Sequence, residues 1–249
     1  MKICMYGAAR DQIADIYKES AGAFGRSLAR RKHVMVFGGG AKGVMGAAAA
    51  GAAAEGGSIV AVAPGDKNFD EEDFGLCSHF IRTGTLAERK AIFTALADAF
   101  VVMPGGIGTF DEFFDLISVK RLGDWTSGGG AELSPEAKSA WEEAHGDQPL
   151  LTLSPLHISQ KPIAIYNVNG YYDLLENLLE DAIRQAFAGE WTRDLYTFCR
   201  TEAELWRALE GFPEECCDGS EMTDEEFSSW QTGSEKGFWK TFLEEQKNR

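Results

Sequence analysis

Histidine, paired cysteine, basic charge and long apolar runs are all scarce in this chain, and each scarcity removes a class of answer. The four histidines in 249 residues (His33, His79, His145, His157) are dispersed, with no ligand partner at metal spacing. The five cysteines (Cys4, Cys77, Cys199, Cys216, Cys217) form no CxxC, so neither a zinc site nor a disulfide framework is expected. With 24 Lys and Arg against 39 Asp and Glu, the net charge of −15 argues against generic attraction to nucleic acid or an anionic membrane. The longest weakly apolar stretch, residues 44–64, is alanine and glycine interrupted by Glu55, and the opening MKICMYGAARD is too short for a signal peptide. A soluble, cytoplasmic protein is expected, and any phosphate it binds must sit in a local cradle.

What is present is a repeating alternation. Short β-rich runs recur at 2–6, 33–37, 58–63, 77–81, 99–103, 162–166 and 195–199, mostly separated by segments of helical length and period. Strands alternating with helices predict an α/β fold, a Rossmann-like doubly wound parallel sheet with helices on both faces. The expected organisation is a domain over 1–210 with an inserted acidic excursion at 123–160, then an acidic C-terminal tail at 211–249. In that tail Phe238, Trp239, Phe242 and Leu243 would form one stripe of a docked helix. Excursion and tail together carry eleven of the fifteen excess negative charges, so the sheet domain is nearly neutral.

Two glycine clusters each stand between a strand and a helix. FGGGAKGVMG (37–46) follows HVMVF, and PGGIGT (104–109) follows AFVVM. Glycines at a helix N-terminus leave backbone N–H groups facing outward where the helix dipole is positive, which favours an anion. Tight βα turns alone would also use glycine. Residues 38–43 spell GxGxxG with Asp66 some way on, which keeps a dinucleotide-dependent oxidoreductase in view. Neither cluster ends in the GKS or GKT of a triphosphate loop. In the second, Gly106, Ile107, Gly108 and Thr109 could offer backbone donors to a monophosphate, with the Thr109 hydroxyl as one more.

Glu112 falls on the helix that follows this nest. It reads either as the partner of Thr109 in a TxxE capping box or as a carboxylate beside a bound ribose, stabilising positive charge during N-glycosidic cleavage. Arg89 and Lys90 open another helix facing the same edge, either as solvated charges or as a phosphate and ribose grip. Asp111 is a weaker candidate. A Schiff base on Lys42 or Lys90 lacks any recognisable partner for a pyridoxal ring, and no serine occupies a nucleophile elbow.

GGGAKGVMG, the ERK at 88–90 and PGGIGTFDE resemble the GGGxxGxMG, RK and PGGxGTxxE signatures of the LOG (Lonely Guy) family, cytokinin riboside 5′-monophosphate phosphoribohydrolases formerly labelled "possible lysine decarboxylases". The resemblance implies a Rossmann-like homodimer that hydrolyses a nucleoside 5′-monophosphate to free base and ribose 5-phosphate, with no metal or organic cofactor. It implies Arg89 and Glu112 as the catalytic pair, and Gly105, Gly106, Gly108 and Thr109 as the phosphate cradle. Lys90 and the turn of Gly38, Gly39, Gly40 and Gly43 would line the nucleotide site. The chain departs from the family at Leu86, where many members have methionine, and in the excursion and tail. A non-catalytic nucleotide- or cofactor-binding protein of the same fold is the alternative.

Overall fold

The computed structural model describes residues 1–64, 75–126 and 158–211. The bulk of the excursion, the tail beyond Gly211 with its aromatic stripe, Asp66, His145, His157 and the last two cysteines lie outside the described residues. All seven expected strands form, each within two residues of its predicted position. They are β1 (Lys2–Tyr6), β2 (Val34–Phe37), β3 (Ile59–Pro64), β4 (His79–Thr83), β5 (Ala99–Val102), β6 (Ile163–Tyr166) and β7 (Thr197–Cys199). They make one parallel sheet in the order β4-β3-β2-β1-β5-β6-β7. The chain winds outward from β1 in one direction and then in the other, which is the doubly wound topology.

Among the described residues six α-helices cover the sheet: α1 (Asp15–Arg30), α2 (Gly43–Ala54), α3 (Leu86–Leu96), α4 (Ile107–Thr126), α5 (Asp173–Arg184) and α6 (Glu202–Glu210). Alternation along each strand splits the core in two. Ile3 and Met5 of β1 face α1, α2 and α6, where Phe24, Val44, Leu205 and Trp206 are buried. Cys4 and Tyr6 face α3 and α4, against Phe93 and Phe113, and α5 packs Leu175 and Leu179 on the same layer. Because both faces are covered, the central strands are continuous apolar runs rather than alternating ones.

The alanine-rich α2 has almost no polar face, and its surroundings explain why. A side chain at Gly25 of α1 would collide with the Ala48 carbonyl, and one at Gly51 with the Gly22 carbonyl, so the two helices touch backbone to backbone. Small residues on both helices make that approach possible. It places the N-terminus of α2 close beside β1, at the sheet's carboxyl edge.

Among the described residues, no helix is long and apolar enough to cross a membrane, and no cluster of three His, Cys, Asp or Glu could hold a metal ion. Cys4, Cys77 and Cys199 are free thiols.

Candidate active site

The loops after β1, β2, β5 and β6 gather at the carboxyl edge. Ala8, just past β1, donates its N–H to the Pro104 carbonyl (3.1 Å) and accepts from the Met45 N–H (3.2 Å). One residue therefore ties the loop after β5 to the start of α2, at the point where the winding reverses. Crevices at such reversal points are the usual ligand sites of open α/β sheets.

Both glycine clusters reach this edge, but different things fill them. A Cβ at Gly38 would lie 2.6 Å from Nη2 of Arg89, and one at Gly40 would lie 2.7 Å from Cε of Met45. Gly43 has φ of +64°, and a Cβ there would press on the carbonyls of Arg10 and Ala8 at 2.5 and 2.7 Å. Gly39 is also left-handed, with φ of +77°. The first turn is thus a seat for the Arg89 guanidinium and the Met45 side chain.

The second turn is open. Gly105 lacks a Cβ because the Thr109 side chain occupies that space, and Thr109 is buried beneath the turn. Gly106 and Gly108, by contrast, have nothing within 4 Å of where a Cβ would stand. Ile107 is 83% exposed between them. The three carbonyls preceding the nest are all occupied: Met103 accepts from the Tyr172 hydroxyl (2.7 Å), Pro104 from Ala8 N–H (3.1 Å) and Gly105 from the Tyr171 hydroxyl (2.6 Å). The Gly106 carbonyl accepts from Phe110 N–H at 3.0 Å. What this turn offers outward is donors.

Beside it, α3 is held by a tight start. Thr85 caps it by accepting from Glu88 N–H (3.1 Å), and the Glu88 carboxylate accepts from Gly84 N–H (2.6 Å). Arg89 follows in the first turn and donates through Nη2 to Oε1 of Glu112 on α4 at 2.7 Å, with the two side chains only 17% and 12% exposed. The guanidinium carbon lies 5.1 Å over the Phe93 ring. Arg89 is therefore clamped between the Gly38 backbone and an aromatic face, with its carboxylate partner fixed in front. Its Nε is buried with no hydrogen-bond partner among the described residues.

Burial pushes the Glu112 carboxyl above its usual range, and the charge of Arg89 opposes but does not cancel that shift. Cys4 and Tyr6, buried on the sheet face below, are pushed up first by burial and also by the Glu112 charge. Lys90, the next residue of α3, also reaches α4, where its Nζ meets Asp111 (3.2 Å) and Asp115 (3.1 Å). Lys90 and Asp111 thus bind each other across the two helices, adjacent in sequence to the Arg89–Glu112 pair on both helices.

One local expectation is corrected. Thr109 and Glu112 do not form a capping box, because α4 already begins at Ile107 and Phe110 N–H closes on the Gly106 carbonyl. Thr109 is the third helical residue and Glu112 the sixth, so the carboxylate has left the first turn and reaches Arg89 instead. Sequence reasoning also missed the loop after β6. There Asn167 is buried, accepts from Tyr172 N–H (2.7 Å) and donates to Asp173 (2.7 Å), while left-handed Asn169 and Gly170 turn the chain so that both tyrosines point back at the nest. The signal available was NVNGYY directly after a strand.

Two family models match the chain, the "SLOG cluster4 family" over residues 1–121 and "Possible lysine decarboxylase" over residues 148–209. A probable cytokinin riboside 5′-monophosphate phosphoribohydrolase of Oryza sativa subsp. japonica is 26% identical over 211 residues, covering 85% of this chain and 78% of the relative. A cytokinin riboside 5′-monophosphate phosphoribohydrolase of Arabidopsis thaliana is 24% identical over 214 residues, with the same two coverages, 85% and 78%. The chain is similar to LOG proteins over 85% of its length.

The first matched segment carries both glycine turns and the Arg89–Glu112 pair, and the second carries the two tyrosines. Among solved structures, the Moco carrier protein of Chlamydomonas reinhardtii superposes with a TM-score of 0.51 at 17% identity, over 84% of this chain and 95% of that one. The molybdenum cofactor binding protein of Rippkaea orientalis gives 0.52 at 16% identity, over 84% and 94%. Those two share its fold.

Proposed function

We propose that this chain hydrolyses the N-glycosidic bond of a purine nucleoside 5′-monophosphate, AMP or an N6-substituted AMP, giving free base and ribose 5-phosphate. The observation that carries this reading is a buried carboxylate, paired with an arginine, beside an open turn of backbone donors: Glu112 held by Arg89, next to Gly106 and Gly108. The names borne by the relatives support the reaction class.

In this reading the phosphate sits on the N-terminus of α4, stabilised by the N–H groups of Gly106, Ile107 and Gly108 and by the helix dipole. Each hydrogen bond to the dianion contributes about 1.5–3 kcal/mol, so a few suffice against the overall negative charge. Breaking the bond between C1′ and the base leaves positive charge on the ribose. Glu112, as a carboxylate, stabilises that charge and takes a proton from the attacking water. Arg89 keeps the carboxylate aimed and presents its remaining guanidinium donors to ribose or phosphate oxygens. Water is the only co-reactant.

Base specificity is left to residues outside this machinery. Leu86, 64% exposed at the start of α3, replaces the methionine of many family members. The homodimer implied by the resemblance belongs to the proposal, and light scattering tests it: twice the 27.2 kDa chain mass supports it and a single chain mass contradicts it.

The experiment is a base-release assay over AMP, N6-substituted AMP, GMP and adenosine. Release from at least one monophosphate and none from adenosine supports the reading. The alternative, a nucleotide- or cofactor-binding protein, shares its fold with the two molybdenum-cofactor proteins. It predicts AMP binding without release, and indifference of that binding to Glu112→Gln.

A further inference from the structure

We infer that Tyr171 is a positioning residue for the phosphate nest, and that its neighbour Tyr172, which makes an almost identical hydrogen bond, is not. The inference rests on the nest being the phosphate site. In a trans peptide the carbonyl of one residue and the N–H of the next point in opposite directions, and among the described residues no peptide is cis. A donor that captures a carbonyl therefore aims the following amide away from itself.

Three consecutive peptides are captured in this way. The Tyr171 hydroxyl draws the Gly105 carbonyl at 2.6 Å, which sends the Gly106 N–H the other way. Ala8 N–H draws the Pro104 carbonyl at 3.1 Å, which turns the Gly105 N–H the other way, onto the Tyr172 hydroxyl, so that it is not free for a ligand. The Tyr172 hydroxyl draws the Met103 carbonyl at 2.7 Å, but the next residue is Pro104, which has no N–H to aim. Of Pro104, Gly105 and Gly106, the last has open space around its Cβ position. Glycine turns are soft, and without the Tyr171 bond the plane of the peptide linking Gly105 and Gly106 is free to rotate its donor off the ligand.

The rings are built for different jobs as well. Tyr172 is buried, edge-on to Phe110 at 6.3 Å, and belongs to the core. Tyr171 is 39% exposed and stands edge-on to Tyr17 of α1 at 5.6 Å. Phenylalanine at 171 keeps that aromatic contact and loses only the hydroxyl.

The test measures ribose 5-phosphate and ribose binding by calorimetry, and AMP kinetics, for wild type, Tyr171→Phe and Tyr172→Phe. For Tyr171→Phe, the Kd for ribose 5-phosphate and the KM for AMP rise about three- to tenfold, with kcat within about twofold and an unchanged melting temperature. For Tyr172→Phe, the melting temperature falls while the ribose 5-phosphate Kd stays within about twofold. Equal effects of the two variants on phosphate binding, or no effect of Tyr171→Phe where wild type binds, would overturn the inference. Failure of wild type itself to prefer ribose 5-phosphate over ribose would overturn the nest reading, and the inference with it.

Discussion

Glu112 concentrates the account in one side chain. Its carboxyl is raised chiefly by burial, so the folded protein holds that proton to higher pH than the unfolded chain does. Two consequences follow with definite sign. The stability it contributes is fully present at low pH and is lost as pH rises through its folded pKa. Catalysis that needs the carboxylate runs the other way, so the acid limb of kcat/KM for base release lies above the usual glutamate range, and Glu112→Gln removes turnover across the profile. An acid limb in the ordinary carboxylate range would contradict Glu112 as the titrating group. The glycines of the nest separate by the same residue-level logic. Gly105→Ala drives a methyl into the Thr109 side chain and costs about 1–3 kcal/mol of stability. Gly106→Ala meets open space, leaves the melting temperature unchanged and raises KM, because the methyl enters the space assigned to phosphate. Thermal denaturation and kinetics on both variants check this. From sequence, Arg89 and Glu112 could be named by pattern, but their contact could not, since it depends on how two helices lie. The GGG at 38–40 reads as a second anion cradle, but spacing alone does not say that the Arg89 and Met45 side chains lie against the room that glycine leaves there.

At the scale of elements, two buried lysines hold helices to strands at the sheet's other end. Lys120 of α4 donates to the carbonyls of Lys161 (2.9 Å) and Leu195 (3.1 Å), closing loop carbonyls ahead of β6 and β7. Lys120→Met leaves both buried and unpaired, and chemical denaturation should show a loss of about 2–4 kcal/mol. Lys161 donates to the Thr94 carbonyl near the end of α3 at 2.9 Å, and burial pulls its amine down from 10.5 to about 8. Between those two values the unfolded chain binds more protons, so stability rises with pH across that window. This contribution is lost as pH falls through about 8, and Lys161→Met flattens the dependence. A wild-type profile no steeper than that of Lys161→Met would contradict the assignment. Elements were the most legible level. Seven apolar runs became seven strands because parallel strands buried on both faces have no alternative to continuous apolar sequence. The boundary before α4 was misplaced because PGGIGT contains no strong N-cap to mark where the turn ends. Tyr171 and Tyr172 were invisible for a different reason: their partners, Gly105 and Met103, lie more than sixty residues earlier, and no local rule joins them.

In the whole molecule, the sheet gathers everything the proposed chemistry needs at one edge. The nest and Arg89 arrive from α4 and α3 on one face, the seat for Arg89 from the loop ahead of α2 on the other, and the tyrosines from the loop after β6. All of these lie before residue 173, in front of α5 and α6. The central claim is that this edge is a hydrolytic site rather than a carrier's grip. It is tested most directly by incubating wild type and Glu112→Gln with AMP or an N6-substituted AMP and quantifying base and ribose 5-phosphate together. Wild type should release the two in equal amounts from at least one of these nucleotides, while Glu112→Gln binds the nucleotide and releases neither. Nucleotide bound by both proteins with no base released by either would contradict the account.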